Sequence, residues 1–442
     1  MLASFIDNLL SEDVWNAQGA WIVLTAAVTN CACALVGCFL VLRRMSLMGD
    51  ALSHAVLPGL AIAFIFSGSF SIVPLMIGAV LAGILTTFLV QTLHEYAGVP
   101  SDASMGVVFT SLFAVGVILI KVAVQGVHFD VACVYEGQLE LAPLYELSVF
   151  GYAMPRALVF ISGVFAVNAL IIGLLWKEFK LSSFDPALAT TMGFSATLLH
   201  YLLMTMVAVT SVASFEAVGA ILVVAMLIIP AATAHLLADR LAPMIGLSLV
   251  VAVLAAVLGY LAAGAMEVAF SLELNVAGMT TVAAAALFAL AALFSPRHGV
   301  ISALVHNMQT SLRVVREDLL GMLYRIEELQ STRRLAAAEA QTAVGGGWLA
   351  RWGLRGLVRD GRVASTGQQL ELTASGRETA RQLVRSHRLW ETYLVRYLDL
   401  PLDHVHEAAH RVEHFIDEQM RAELEQKLDA AATDPHGRSI PL

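Results

Sequence analysis

The chain has 442 residues, of which 58% are hydrophobic and 14% are charged, and its mean hydropathy of +0.76 is far from that of a soluble globular protein. Residues 1–298 hold only 8 Lys and Arg, whereas residues 299–442 hold 18. The first two-thirds is therefore predicted to be a polytopic membrane domain and the rest a soluble domain. The net charge of −9 gives no indication of a nucleic-acid partner.

Nine apolar stretches are candidate membrane spans, and the pattern leaves the count at eight or nine. Three are shorter than the ~20 residues that a bilayer crossing needs, which predicts broken helices buried around a cavity. Arg43, Lys177, Arg240 and Arg297 follow the first, fifth, seventh and last spans, so the N-terminus is predicted outside and the soluble domain in the cytoplasm. Lys121 and Arg156 are exceptions to this pattern. The stretches are residues 20–42, 52–67, 72–94, 104–121, 156–176, 197–214, 216–237, 243–264 and 276–295.

Asp50 and His54 lie one helical turn apart, between two long apolar stretches. Ionisable groups at membrane depth are costly, so they usually face a polar cavity and mark a substrate path. The i, i+4 spacing places both on one helix face, where a carboxylate and an imidazole can hold one divalent metal. The alternative is that Asp50 is only a helix N-cap at the membrane edge.

A short segment on the predicted cytoplasmic side begins with Phe184, Asp185, Pro186 and Ala187 and ends at Gly193. Asp185 is a candidate N-cap, with Pro186 at the first helical position. A short helix here has the shape of an element that couples a membrane domain to a cytoplasmic partner. The alternative is a plain loop between two spans.

From about residue 299 the periodicity becomes amphipathic and charged. The order helix, helix, hairpin, helix is that of a winged helix-turn-helix domain followed by a dimerisation helix. The predicted elements are helices over 311–330 and 348–358, strands over 362–365 and 369–373, and helices over 374–398 and 402–431.

Six imidazole or carboxylate side chains recur at helical spacing in this region. Four follow an i, i+4, i+7, i+8 spacing, which predicts one continuous helix face, and the other two lie i, i+4 apart one helix earlier. A divalent metal explains such a pattern, and the alternative is a solvated polar face. In chain order they are His387, Glu391, His406, His410, Glu413 and His414.

Residues 10–298 resemble the permease subunits of ABC importers for manganese, zinc and iron. The resemblance rests on residues 44–59 (RMSLMGDALSHAVLPG), 184–193 (FDPALATTMG) and 217–235 (AVGAILVVAMLIIPAATAH). It implies a homodimeric permease in a bacterial inner membrane, bound by ATP-binding subunits and supplied by a periplasmic or lipid-anchored metal-binding protein. It also implies that Asp50 and His54 bind the metal in transit and that residues 184–193 dock into the ATPase.

Residues 311–425 resemble metal-dependent repressors of the diphtheria-toxin-repressor and manganese-repressor type. The resemblance rests on residues 372–377 (LTASGR), 384–391 (VRSHRLWE), 403–406 (DHVH) and 410–414 (HRVEH). By position it implies two metal sites, or one binuclear site. The ligands would be His387, Glu391 and His406 in the first, and Asp318, His410, Glu413 and His414 in the second.

The chain departs from the repressors in two places. His410 stands where such repressors carry cysteine or glutamate, so their metal preference is not carried over. Residues 343–358 (AVGGGWLARWGLRGLV) stand in the region of the recognition helix, with glycines and tryptophans in place of small polar residues. DNA binding is therefore not expected.

The predicted fold is an all-α polytopic membrane bundle of about eight or nine transmembrane helices, with a C-terminal cytoplasmic domain of winged-helix and dimerisation-helix type. The predicted divisions are a permease domain (1–298), a linker (299–310), a repressor-like domain (311–425) and a tail (426–442). The sequence has no Gly-x-x-x-x-Gly-Lys-Ser/Thr phosphate loop, so ATP hydrolysis is expected on a separate subunit.

The leading hypothesis is the permease subunit of an ATP-driven importer of manganese, zinc or iron. The same class of metal is then also the regulatory ligand of the soluble domain. The alternative is a membrane-tethered, metal-responsive transcription regulator.

Overall fold

The computed structural model describes residues 17–68, 72–123, 137, 139–149, 151–272, 274–329, 335–366, 369–429 and 432–441. Contacts divide the chain into two compact units, Met1–Ser302 and Ala303–Leu442, called here the membrane unit and the tail unit. Both are built mainly of helices, which confirms the predicted all-α class.

Seven helices in the described part of the membrane unit are long and apolar enough to cross a bilayer, and two shorter apolar helices accompany them. The nine candidate spans therefore correspond to seven long and two short helices. The helices are α1 (Ala17–Leu42), α2 (Ser46–Ala55), α3 (Leu57–Ser67), α4 (Ile72–Ala97), α5 (Ser101–Ala123), α6 (Arg156–Leu174), α7 (Trp176–Phe184), α8 (Pro186–Thr191), α9 (Ala196–Val218), α10 (Ala220–Leu237), α11 (Leu241–Phe270) and α12 (Val276–Phe294).

The second candidate span, residues 52–67, is broken into α2 and α3. Pro58 lies in the first turn of α3, and its nitrogen has no hydrogen to donate to the carbonyl of His54. The helix therefore stops and restarts around Val56. The break places His54 in the last turn of a short helix that ends inside an apolar stretch.

Small residues allow the helices of the membrane unit to approach closely. A Cβ at Gly37 of α1 would lie 1.8 Å from the carbonyl oxygen of Leu227 in α10. A Cβ at Gly59 of α3 would lie 2.1 Å from the carbonyl oxygen of Gly78 in α4. Van der Waals packing of this kind is a main source of helix association in lipid.

A short structured connection lies between α5 and α6. It contains a 3-10 helix (Leu139–Leu144) and an antiparallel hairpin of β1 (Glu146–Val149) and β2 (Tyr152–Pro155). The side-chain nitrogen of Asn275 donates to the carbonyl of Gly137 at 3.1 Å, which fixes this connection to the start of α12.

From residue 300 onward the described residues are mainly helical, with one antiparallel pair of strands. α16 has the predicted bounds, and both strands agree with the predicted ones to within one residue. The elements are α13 (Val300–Glu328), α14 (Ala337–Ala343), α15 (Gly347–Arg359), β3 (Val363–Thr366), β4 (Gln369–Leu372), α16 (Ala374–Leu398), α17 (Leu402–Val412), a 3-10 turn (Glu413–Phe415) and α18 (Glu418–Lys427).

The single helix predicted over residues 402–431 is wrong. α17 ends at Val412, the 3-10 turn follows, and α18 begins after Asp417. The Oδ1 atom of Asp417 accepts a hydrogen bond from the backbone nitrogen of Met420 at 2.8 Å. This N-cap starts a new helix, because it satisfies a backbone donor that a continuous helix would pair internally.

Residues 299–310, predicted as a linker, are helical from Val300 onward, so α13 runs unbroken through this stretch. Its first turns leave Val300, Leu304 and Met308 exposed on one face. Its later turns bury residues such as Leu319 in the core of the tail unit. The stretch between the last span and the tail unit is therefore an amphipathic helix.

The end of the chain packs onto α16. The guanidinium of Arg388, which is 2% exposed, donates to Glu328 at 2.8 Å and to the carbonyl of Ser439 at 2.6 Å. Ile440 belongs to the same apolar cluster as Leu389. Residues 432–441, part of the predicted tail, therefore contribute to the core of the tail unit.

Candidate metal centres

Asp50 and His54 lie side by side on α2. Nε2 of His54 is 3.5 Å from Oδ1 of Asp50, and the two side chains are 28% and 44% exposed, respectively. This distance exceeds that of a good hydrogen bond. Nε2 of His54 and Oδ1 of Asp50 are therefore both able to coordinate a cation.

Two phenylalanines of α5 form an apolar wall beside His54. The centroid of its ring lies 6.2 Å from that of Phe109 and 5.5 Å from that of Phe113. α5 packs against both α2 and α3. Nothing in the sequence pattern indicated this contact, because it depends on how the helices pack.

The segment 184–193 forms a capped helical turn. Oδ1 of Asp185 accepts from the backbone nitrogen of Leu188 at 2.9 Å, and Pro186 lies in the first turn of α8, which confirms the predicted N-cap. Gly193 ends the segment with a φ of +90°, a conformation that glycine adopts without strain.

The same segment carries an exposed apolar row. Phe184, Leu188 and Met192 recur every four residues and are 59%, 45% and 60% exposed. Such a row on a short helix is suited to inserting into a groove on another protein.

Arg43 connects the chain just before α2, the helix of Asp50 and His54, to the end of α7, just before segment 184–193. Its Nη2 donates to Oγ of Ser182 at 2.8 Å, and its Nε donates to Oγ of Ser183 at 3.4 Å. α2 begins three residues after Arg43, and α8 begins three residues after Ser183. The contact therefore links the two sequence-predicted functional segments of the membrane unit.

In the tail unit, His387 and Glu391 of α16 converge with His406 of α17. Nε2 of His387 is 3.1 Å from Oε1 of Glu391 and 3.1 Å from Nδ1 of His406, and the latter two atoms are 2.9 Å apart. Ligand atoms about 2.1 Å from one ion lie roughly 3.0 Å apart when they are at right angles. The three atoms therefore have the mutual spacing of neighbouring ligands on one ion.

The second predicted group, Asp318, His410, Glu413 and His414, also comes together, with candidate donor atoms within 4.8 Å of one another. Oδ1 of Asp318 lies 3.3 Å from Nε2 of His414 and 3.9 Å from Nε2 of His410. Asp318 comes from α13, so this group joins that helix to α17 and the 3-10 turn.

Glu413 bridges the two groups. One carboxylate oxygen lies 2.7 Å from Nδ1 of His410, and the other lies 2.7 Å from Nδ1 of His387. The groups are therefore parts of one connected cluster rather than two separate surfaces.

The predicted continuous helix face is wrong for its last two members. α17 ends at Val412, and Glu413 and His414 belong to the tighter 3-10 turn. Their side chains are only 3% and 4% exposed, whereas those of His406 and His410 are 62% and 50% exposed. The cluster consequently has a buried half and an open half.

Burial and ion pairing act in opposite directions on the ligand side chains. Burial alone raises the pKa of Glu391, but the hydrogen bonds and charges of His387 and His406 together outweigh burial and lower the pKa to about 2. Burial alone lowers the pKa of His414, but the carboxylates of Asp318 and Glu317 outweigh it and raise the pKa to about 9. His414 is therefore protonated at neutral pH without metal, and a metal must displace that proton.

Four buried atoms of the cluster have no hydrogen-bond partner among the described residues. The close contact between His387 and Glu413 does not have hydrogen-bond geometry. Buried polar atoms without partners are costly and rare, and a divalent cation held by the second group would give partners to those of Asp318 and His414. Imidazoles with carboxylates suit manganese, iron or zinc. The atoms are Oδ1 of Asp318, Nδ1 of His387, Oε2 of Glu413 and Nε2 of His414.

Three residues of the cluster were missed by the sequence analysis. Oε2 of Glu317 lies 2.8 Å from Nδ1 of His414, and Nε2 of His436 lies 4.0 Å from Oε1 of Glu391. Arg325 lies 3.9 Å from Glu413 and partly balances its charge. Glu317 is next to Asp318, so adjacency was a usable signal, whereas the sequence offers none for His436.

Two family matches cover most of the chain. Residues 18–295 match the ABC 3 transport family. Residues 373–442 match the iron dependent repressor, metal binding and dimerisation domain, which includes most of the cluster.

The similar proteins are membrane components of transport systems. MntD, a manganese transport system membrane protein of Bacillus subtilis, is 46% identical over 64% of this chain and 94% of its own length. TroD, a zinc transport system membrane protein of Treponema pallidum, is 38% identical over 80% of this chain and 96% of its own length. The TroD match is longer than the membrane unit, so the likeness extends into the tail unit.

The fold of the membrane unit also matches a solved structure. PsaBC from Streptococcus pneumoniae in complex with Fab is 34% identical, with a TM-score of 0.54, over 67% of this chain and 98% of that chain. The pattern of long and broken helices agrees with these similarities. The chain belongs to the ABC 3 transport family, as a permease that carries a metal-dependent-repressor-like domain.

Proposed function

We propose that the protein is the permease subunit of an ATP-driven importer of a divalent metal in a bacterial plasma membrane, with its tail unit in the cytoplasm as a metal sensor. Family membership supports the permease role. Two similar proteins are named for manganese and zinc transport, which favours these metals over iron.

The juxtaposition of Asp50 and His54 at a helix break is the observation that carries the transport role. One carboxylate and one imidazole replace part of the hydration shell of an ion without enclosing it. Their partial exposure leaves room for water or for ligands from another subunit. A passage formed with a second copy of this chain would supply such ligands, so we propose a homodimer.

Two further partners complete the importer. Hydrolysis of ATP requires a separate ATP-binding subunit, because this sequence has no phosphate loop. The exposed row of Phe184, Leu188 and Met192 is the surface proposed to dock into that subunit. A metal-binding protein outside the membrane would deliver the ion.

The regulatory role rests on the position of the ligands. Asp318 lies on α13, the helix that begins six residues after the last membrane helix ends at Phe294. Metal that binds Asp318 together with His410 and His414 would stabilise one arrangement of α13 relative to α17. A ligand shifts a conformational equilibrium by its differential affinity for the two states, so filling the cluster would bias the transport cycle.

The transport role is tested in cells that lack their own manganese and zinc importers and express the complete system. The wild-type protein should restore uptake of radioactive manganese or zinc. Asp50→Asn and His54→Asn should each reduce uptake to background, whereas Asp102→Asn, at an exposed acid of another membrane helix, should not. Uptake that persists in both site variants would contradict the proposed pathway.

The sensor role is tested in proteoliposomes loaded with different internal metal concentrations. Uptake by the wild type should change with internal metal, and uptake by Glu391→Gln should not. Exposed Glu407→Gln is the matched control. A wild-type rate that is independent of internal metal would rule out regulation by the tail unit.

A further inference from the structure

α15 has two opposite faces. The buried face, formed by Ala350, Gly353, Leu354 and Leu357, packs in the tail unit. At 100° per residue, six exposed positions fall within an arc of about 120° on the other side. They form the Trp/Arg face, which consists of Trp348, Arg351, Trp352, Arg355, Val358 and Arg359.

The Trp/Arg face is not covered by the described part of the chain. Trp348 and Trp352 are 54% and 58% exposed, with ring centroids 6.2 Å apart in an edge-to-face arrangement. Its three arginines form no ion pair with any residue in the described ranges. α15 has no acidic residue, and Asp360, which follows it, pairs with Arg316 on α13. The face therefore combines a net positive charge with two large aromatic side chains.

We propose that the Trp/Arg face binds the surface of an anionic lipid bilayer. Tryptophan favours the membrane–water interface, where its ring is apolar and its N–H remains hydrated. Arginines on the same face are attracted by anionic headgroups. An amphipathic helix with this distribution lies in the plane of the interface. The cytoplasmic leaflet is the surface concerned, a detail that rests on the proposed function.

Covalent attachment favours this partner. The tail unit follows the last membrane helix along the chain, so a bilayer is always present at high effective concentration. A weak interfacial helix can therefore bind without the second anchor that a free protein needs.

The face is also held rigidly. A Cβ at Gly353 would lie 3.1 Å from the side chain of Val315, which indicates close packing of α15 on α13. A preformed helix loses little conformational entropy when it binds a surface.

A DNA duplex is the rival occupant, because it also attracts arginine. A helix in the major groove reads base edges through polar side chains that donate or accept hydrogen bonds. Here Trp348 lies near the middle of the exposed arc and Trp352 at one edge, and neither offers such pairing apart from the indole N–H. The chemistry of the face thus favours the bilayer.

The test uses the full-length protein in nanodiscs of brominated phosphatidylcholine, alone or mixed equally with brominated phosphatidylglycerol. Bromine quenches tryptophan at the interface. The difference in emission between the wild type and Trp348→Phe/Trp352→Phe isolates these two residues from the others. The emission of these two tryptophans should be at least about twofold lower in the anionic nanodiscs than in those of phosphatidylcholine alone. The variant Arg351→Gln/Arg355→Gln/Arg359→Gln should restore the emission in the anionic nanodiscs.

The matched control is Arg377→Gln/Arg381→Gln/Arg396→Gln, which removes the same charge elsewhere on the tail unit and should leave quenching intact. Equal quenching with and without phosphatidylglycerol, or none at all, would overturn the proposal. So would binding of duplex DNA that depends on the same three arginines. Nanodiscs expose both leaflets, so a protein that fails to transport metal can still pass this test, and the two proposals fail separately.

Discussion

The two candidate metal centres are built in opposite ways. The membrane pair has two candidate ligands from one helix, and both are partly exposed. The tail cluster has seven candidate ligands from three helices and a 3-10 turn, and four of them are no more than 4% exposed. The first arrangement suits an ion that must leave again, and the second suits an ion that is held.

Under the proposed roles, the number and burial of the ligands, more than their chemical type, distinguish a site that passes an ion on from a site that holds it. Both centres use carboxylates and imidazoles, which bind the same metals. In the tail unit the candidate ligands also contact one another, and the pKa values of Glu391 and His414 are shifted by those contacts. In the membrane unit two phenylalanines, rather than further ligands, lie beside His54.

The largest expected effect comes from removing the bridge in the tail cluster. Glu413→Gln should weaken metal binding by both groups at least about 100-fold, since mutation of outer-shell partners alone costs up to that much. The measurement is metal content after dialysis, made in an Asp50→Asn background. Exposed Glu418→Gln is the control. If one group keeps its affinity, the groups are independent sites.

A third ligand beside Asp50 and His54, called here the transit pair, should make this site bind its ion more tightly. Phe113→His places an imidazole beside His54, whose ring centroid is 5.5 Å from that of Phe113. Manganese affinity should rise about tenfold or more, which corresponds to about 1.4 kcal/mol, and the uptake rate should fall. Phe113→Leu controls for loss of the aromatic ring. Faster uptake in Phe113→His would contradict the link between retention and slow transport.

Protons should compete with metal for the tail cluster, so its metal affinity should depend on pH. The pKa of His414 is about 9, so the histidine is protonated below that pH and must lose its proton to bind metal. Affinity of the tail cluster should therefore decrease about tenfold for each pH unit below about 9. Titrations at pH 7 and 8 in the Asp50→Asn background measure this slope, and equal affinities at the two values would contradict it.

The smallest expected effect concerns the contact of Arg43 with Ser182 and Ser183, which links the transit pair to segment 184–193. Arg43→Gln should lower uptake several-fold, roughly three- to tenfold, while metal binding by Asp50 and His54 stays the same. Ser182→Ala/Ser183→Ala should act similarly, and the combined variant should be no worse than either. Additive losses would show that Arg43 acts through other contacts.

The sequence predicted the features that depend on local periodicity. The i, i+4 pairs at 50 and 54 and at 387 and 391 both lie on helices with their side chains adjacent. The N-cap at Asp185 depends only on neighbouring residues and was also predicted. Helical geometry determines such contacts once the helix is identified.

The remaining features depend on tertiary packing or on competing local signals. Phe113 meets His54 only because α5 packs on α2, and His436 approaches Glu391 only because the chain end folds onto α16. The N-cap at Asp417 overrode an amphipathic pattern that otherwise continues through the break. The apolar face of residues 300–310 is typical of a helix, although this stretch was predicted to be a linker.

Because α13 is one unbroken helix, the number of residues before Asp318 determines the direction in which that side chain points around the helix axis. Asp318 lies about 27 Å along the axis from Val300, at about 1.5 Å per residue. One alanine inserted between residues 303 and 310 would turn Asp318 by about 100° relative to the first turn of α13, whereas seven would nearly restore its direction. If the strength of regulation is lost with one inserted residue and regained with seven, α13 transmits rotation as a rigid helix and is not a flexible linker.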